Sequence, residues 1–321
     1  MATTTEKMGG SSRLAVERSL TRDALRRLVG NRLSFLGLVI AILTVLLGLF
    51  GPSIAPYDYT EMDLLHVREP PSIKYWLGTD EVGRDLLSRV LVGARTGVFV
   101  GLFVSIATTG LGVLVGAISA YAGGWLDNVI MRLTDIIMSF PGIVFAAFIN
   151  ATLQRPIAET LQKVSEALGV AFLQDRVFLD YVVVLSALVM VQWPDMARLV
   201  RGQILSLREK DFVLAAHSLG TPGWQIIRRH LIPNTMGPII VAATVGFGTA
   251  VLTESSLSYL GLGIRPPGAS WGQMIFSSMN EWQTRPHLVA VPAITLAICV
   301  FGFNFLGDGL NDALNPRQAR R

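Results

Sequence analysis

Three acidic residues, Asp135, Glu254 and Asp308, stand in or at the edge of apolar runs. A carboxylate at membrane depth is costly, and it marks an ion or substrate contact unless a neighbour satisfies it. Asp135 has Arg132 one helical turn before it, a local partner. Glu254 lies in TESSLSYLGLG (Thr253–Gly263), where a serine or backbone group across a helix interface can donate to it. Gly268-Ala269-Ser270 has the form of a nucleophile turn, with His287 or His230 as its base. His230 belongs to a cationic loop that falls on the other side of the membrane from Ser270, and His287 lies at a span boundary, so hydrolase chemistry is not expected. Between Gly78 and Asp85 the string GTD-x2-GRD could suggest a metal or phosphate site, but arginines alternate with the acids. Charge pairs inside a compact loop are the better expectation. The sequence contains no GxxxxGK[ST] phosphate loop, no HExxH and no Cys/His cluster. Neither ATP hydrolysis, a catalytic residue, a metal nor a cofactor of its own is expected of it. Cys299, the single cysteine, sits in an apolar run and reads as a small buried hydrophobe.

A second kind of chemistry is coupling between chains. The stretch Ser206–Asn234 is one long cationic loop between apolar segments, and it reads as two short helices joined at a glycine. Ser206 and Glu209 have capping-box spacing. Phe212, Ala215, Ala216 and Leu219 recur at helical spacing, and Gly220 suits the left-handed residue that ends a helix. Thr221-Pro222 then restarts a helix as N-cap and first residue, and Pro233 stops it. Such a hook, with alanines on one face, fits closely into a groove of another protein.

The elements that position these residues are membrane helices. Of 321 residues, 51% are hydrophobic and 16% charged, with a mean hydropathy of +0.50. Globular proteins carry about a quarter charged residues. A polytopic, all-α membrane protein is the fold class that follows. Residues 1–12 are polar and small. Arg13 to Arg32 is strongly basic, with Leu20, Ala24, Leu25 and Leu28 on one face behind a Thr21 cap, a pattern for a helix on an anionic membrane surface. Leu33–Ala55 is the first span. It exceeds a signal-peptide core and is followed by Pro56, so it reads as a retained anchor. Five more spans are expected at about Gly97–Tyr121, Val129–Ala151, Phe178–Leu199, Gly237–Leu262 and Leu288–Leu310. Between the first two lies the polar stretch Tyr57–Arg95, with a helix beginning at Asp85–Val92. Pro141 should kink the third span, and Gln154–Arg176 is a polar, helix-compatible excursion. The implied division is a basic tail (1–32), an anchor with its loop (33–95), a core (96–312) that carries the hook (206–234), and a short tail (313–321).

Charge sets the orientation. The side that holds both termini and the hook carries 17 Lys and Arg, and the other carries 10. Cationic loops stay cytoplasmic, so both termini and the hook are expected inside.

The spacing Ala215-Ala216-x3-Gly220, with Pro233 thirteen residues on, resembles the EAA loop of ABC-importer permease subunits. Leu214 and His230 depart from that pattern, which has a glutamate and an aliphatic residue there. The run HVREPPSIKYWLGTDEVGRDLLSRVLVGART is similar to the loop after the first span in the dipeptide, oligopeptide and nickel branch of that family. Similar too are TESSLSYLGLG and Pro266-Pro267-x2-Ser270-Trp271-Gly272, from about Ala24 to Pro316 in order. The resemblance implies an ABC permease subunit with six spans in a bacterial plasma membrane, paired with a second homologous permease. It also implies two cytoplasmic ATPases that bind ATP and Mg, and an extracytoplasmic solute-binding protein. Coupling to the ATPase would then fall to Phe212, Leu214, Ala215, Ala216, Leu219, Gly220 and Pro233. Pathway or gating roles would fall to Asp135, Glu254 and Trp271. A stand-alone ion-coupled transporter, using Asp135 or Glu254, is the alternative, and it leaves the hook unexplained.

Overall fold

The computed structural model describes residues 20–314, with side chains from residue 25 onward. The basic positions Arg13 and Arg18 and the C-terminal arginines from Arg317 lie outside the described residues. Among the described residues there is no β-strand, and helices form the whole framework.

Helix α1 (Leu20–Gly30) already includes Thr21, so Thr21 does not cap it. Asn31 caps the next helix instead, accepting from the Leu33 N–H at 3.0 Å. That helix, α2 (Arg32–Ile54), is the expected anchor. Leu28 of α1 is buried while Leu25 is exposed.

The Asp85 side chain then accepts from the Ser88 backbone N–H at 2.8 Å and starts α3 (Leu86–Ala122). At 37 residues, α3 is far longer than the span expected at Gly97–Tyr121. It is about 55 Å long, well beyond the ~30 Å of a bilayer core. Its Gly112 and Gly116 admit α6 (Arg176–Arg208) at close range. A Cβ on Gly112 would lie 2.5 Å from Met196 Cβ, and one on Gly116 2.4 Å from the Ala197 carbonyl. Small residues let membrane helices approach in this way.

The third span is not one kinked helix. It breaks into α4 (Gly124–Met138) and α5 (Gly142–Leu168), which meet at 95°. The reason lies in Phe140-Pro141-Gly142. Proline has no N–H to continue the ladder and pushes the residue before it out of helical conformation. Pro141 therefore becomes the N-cap of α5. The polar excursion is helical, as expected: α5 runs on to Leu168, and a short 3-10 turn (Ala171–Gln174) leads to α6.

After α6 come α7 (Asp211–Ser218) and α8 (Gly223–Ile226). A π turn (Ile227–Leu231) joins α8 to α9 (Ile232–Tyr259). Pro233 does not stop this run. It occupies the first turn of α9, where its missing N–H costs nothing because the widened turn before it already breaks the regular ladder. Helix α10 (Trp271–Ser278) and α11 (Pro286–Leu314) complete the chain. Among the described residues five helices are long and apolar enough to cross a membrane, or six if the bent α4–α5 pair is counted as one span.

Three buried clusters hold the bundle. One surrounds Trp271 and joins α2, α3, α9, α10 and α11. A second joins α3, α5, α6 and α9 around Val104, Leu188 and Leu257. The third lies under α7 and α8, where Val200, Ile204 and Ile239 meet Val213, Ala216 and Ile226.

Candidate functional site

The hook is built by termination signals. Helix α6 runs through Ser206, whose hydroxyl donates to the Gln203 carbonyl at 2.8 Å. Ser206 is thus the last turn of a long helix and not the cap of a short one, and the expected capping box with Glu209 is absent. The preceding helix simply outlasts the signal. Helix α7 begins after Lys210, with Asp211 in its first turn, where a carboxylate suits the helix dipole.

Its end follows the sequence closely. Gly220 has φ +77°, the Gly220 N–H donates to the His217 carbonyl at 3.0 Å, and the Thr221 N–H donates to the Ala216 carbonyl at 3.1 Å. Those two bonds make a Schellman motif. The restart is shifted by one residue: Pro222 is the cap of α8, and Gly223 opens it. Gly223 lies under the Tyr121 ring at the end of α3, so close that a Cβ there would overlap it.

The faces of α7 divide cleanly. Val213 and Ala216, one turn apart, are buried against α3, α6 and α8. Phe212, Leu214 and Ala215 face outward, and Leu219 is 86% exposed. Trp224 of α8 is exposed beside them, and Pro233 is exposed further on. The expectation that Ala215 and Ala216 share a docking face is therefore half corrected. Ala216 seats the hook on its own chain, and the outward stripe is Phe212, Ala215 and Leu219. Between the hook and the ends of α3 and α6 is a cavity of about 490 Å³, lined by Tyr121, Ile204, Arg208, Glu209, Val213 and His217.

Charged side chains tie α4 to α6 beside this hook. Arg201 donates to both carboxylate oxygens of Asp127 at 2.6 Å. Asp135 does not pair with Arg132. It accepts from Arg198 Nη2 at 2.5 Å across the helix interface, because the break at Pro141 lays α4 across α6.

On the opposite side, the GTD-x2-GRD string forms the expected compact loop of pairs. Arg84 Nε donates to Asp80 at 2.7 Å. The buried Arg89 reaches the same carboxylate at 3.5 Å and donates to Gln273 Oε1 at 3.0 Å. Asp180 and Arg265 lock α6 to the loop before α10, with the Arg265 Nε–Asp180 bond at 3.1 Å. The Asp180 carboxylate holds the Arg265 guanidinium above its ordinary range.

Glu254 is fully enclosed and accepts from the Ser258 hydroxyl at 2.6 Å and the Ser255 hydroxyl at 3.3 Å, both on its own helix. Trp271 is 2% exposed. Its Nε1 donates to the Val90 carbonyl at 3.1 Å, and its ring covers Gly93 and Gly97 of α3. It fills a helix junction and does not border open space. Asp308 is exposed, and Cys299 is buried. The Ser270 hydroxyl has no hydrogen-bond partner, so neither histidine is poised as its base. Among the described residues no group of three or more His, Cys, Asp or Glu could hold a metal.

Sequence reasoning missed Asp195 and Gln192, one turn apart in the middle of α6. The signal was available in Gln192-Trp193-Pro194-Asp195, a polar pair in an apolar run.

Residues 112–320 match the family of binding-protein-dependent transport system inner membrane components. Residues 19–71 match the N-terminal transmembrane domain of oligopeptide transport permease C. The oligopeptide transport system permease protein OppC of Bacillus subtilis is 36% identical over 299 residues, 93% of this chain and 90% of that relative. The dipeptide transport system permease protein DppC of Alkalihalophilus pseudofirmus is 36% identical over 297 residues, 92% and 90% of the two chains. The glutathione transport system permease protein GsiD of Escherichia coli is 34% identical over 293 residues, 91% and 89%. The spans, the hook and these matches together rule out the stand-alone ion-coupled transporter. The chain belongs to the binding-protein-dependent transport system inner membrane components, as a permease subunit of an ABC importer and not an enzyme.

Proposed function

We propose that this permease imports short peptides or peptide-like solutes, forming half of a pathway completed by a second, homologous permease. Two ATPase subunits on the cytoplasmic side supply the energy, and ATP and Mg stay on them. A solute-binding protein delivers the cargo from outside. The substrate class rests on the relatives, whose names specify oligopeptide, dipeptide and glutathione.

The observation that carries the coupling role is the division of α7. Val213 and Ala216 fix the helix to the permease, so that Phe212, Leu214, Ala215 and Leu219 are free to enter a groove of the ATPase. Gly220 and Pro233 set the angles at which the hook leaves and rejoins the bundle. A push or pull on α7 is passed through the third cluster to α3, α6 and α9 together. Closure of the ATPases would thereby tilt the spans and expose the pathway alternately to each side.

The charge pattern supports a plasma-membrane orientation with both termini and the hook in the cytoplasm. Seventeen Lys and Arg lie on the side of the termini and the hook, and 10 on the other. Purification of the assembled importer tests the reading. The two permeases, the ATPases and a binding protein should be recovered together and should take up free peptides into vesicles in an ATP-dependent way. A complex that takes up no peptide would overturn the substrate class. A chain that takes up solute without an ATPase would overturn the coupling role.

A further inference from the structure

A cavity of about 310 Å³ opens between α3, α6 and α9, far from the hook and from the outer loop. Its wall is mostly apolar, but Thr108, Thr109, Gln192, Asp195, Gly246 and Thr249 border it. Two of its polar atoms, Thr109 Oγ1 and Gln192 Nε2, are buried and have no partner. The Thr108 and Thr249 hydroxyls already donate to carbonyls of their own helices.

Asp195 is the twentieth of the 33 residues of α6, about 20 Å from the Arg208 end. It is exposed, and among the described residues no lysine, arginine or histidine pairs with it. Arg198, one turn away, is turned to Asp135 instead. A carboxylate facing lipid at the centre of a span is costly, so such groups face a partner or a water-filled path. An apolar cleft with a few convergent polar groups is also the usual form of a small-molecule site.

We propose that this cavity is a solute contact in the transport path, where Asp195 takes the ammonium group of the passing solute. Gln192 Nε2 and Thr109 Oγ1, buried and unpartnered in this conformation, turn toward the cavity to serve the amide next to that ammonium, the amide nitrogen of Gln192 donating to its carbonyl. The chemistry matches a free-amine peptide end, since an ammonium and a carbonyl lie within one residue of each other there. The assignment rests on the peptide reading above. It adds a place on this chain where that solute is recognised during passage.

The test uses the complete importer in vesicles, with a mixture of free di- to pentapeptides as the probe. Asp195→Asn should lower the maximal uptake rate about tenfold or more, and Asp195→Glu should recover most of it. The ATPases should still co-purify with both variants, which separates this effect from a lost assembly. Separately, Asp195→Cys, placed in a Cys299→Ser background, is treated with a cationic thiol reagent. Labelling is expected in the assembled importer and should slow when peptide is being transported. Wild-type uptake at the Asp195→Asn variant, or an Asp195→Cys thiol that stays unlabelled, would overturn the inference. The second result would place the carboxylate against the other permease or lipid. If the wild-type importer takes up no peptide at all, the peptide reading fails and the ammonium assignment falls with it. Labelling would then still report whether the cavity lies in the water path.

Discussion

The Thr221 N–H donates to the Ala216 carbonyl at 3.1 Å, and the side chain of the same Ala216 is buried against the membrane helices. One residue thus both closes the end of α7 and fastens that helix to the rest of the chain. The hook is thereby packed directly on the spans beneath it.

Gly220 makes that closure possible. No atom lies within 4 Å of where its Cβ would stand, so a substitution there meets only backbone strain. A Cβ in the left-handed region costs about 1–2 kcal/mol. Gly220→Val is expected to loosen the hook, raise trypsin cleavage at Lys210 and lower uptake severalfold. Gly220→Asn should be milder, because asparagine tolerates this conformation. Equal cleavage of all three proteins would contradict the account.

Trp271 makes a different prediction. A Cβ on Gly93 would lie 2.8 Å from Trp271 Cδ1, so the ring rests directly on α3. Trp271→Ala empties that space and should cost about 3–5 kcal/mol, seen as a lower yield of assembled permease in detergent. Trp271→Phe keeps most of the volume and loses the bond to Val90, a cost of about 1 kcal/mol. If Trp271→Ala assembled normally yet failed to transport, the residue would be a gate and not a packing element.

Glu254 accepts hydrogen bonds from serines on its own helix, with no cation beside it. Glu254→Gln retains an acceptor and the shape, so uptake should stay within about threefold of wild type. Glu254→Leu leaves Ser258 without that partner and should lower the yield instead. Complete loss of uptake in an assembled Glu254→Gln importer would give this carboxylate a transport role.

Much of this was legible in the sequence because it rests on local rules. Gly220 ends α7 as its type demands, Asp85 starts α3, and the apolar runs mark the spans to within a few residues at most of their ends. What was not legible depends on the third dimension. Ser206 has the spacing of a cap, yet α6 continues through it because packing against α3 holds the helix together. Asp135 has an arginine one turn away, but the 95° break at Pro141 brings Arg198 closer. Ala215 and Ala216 are adjacent and look alike in sequence, and only the position of the bundle decides that one is buried and the other free.

The most direct measurement of the central claim is the amount of ATPase retained per permease after purification of a Leu219→Asp importer. Leu219 is 86% exposed, so the change does not disturb the chain's own core. A carboxylate in the middle of an apolar interface should cost 2 kcal/mol or more, about a thirtyfold loss of binding. The account predicts that the permease inserts at its normal level, that most of the ATPase is lost and that uptake falls with it. Lys210→Ala, a change of an exposed neighbour, should leave both intact. A Leu219→Asp importer that keeps its ATPases and transports at the wild-type rate would show that the outward face of the hook is not where the two proteins meet.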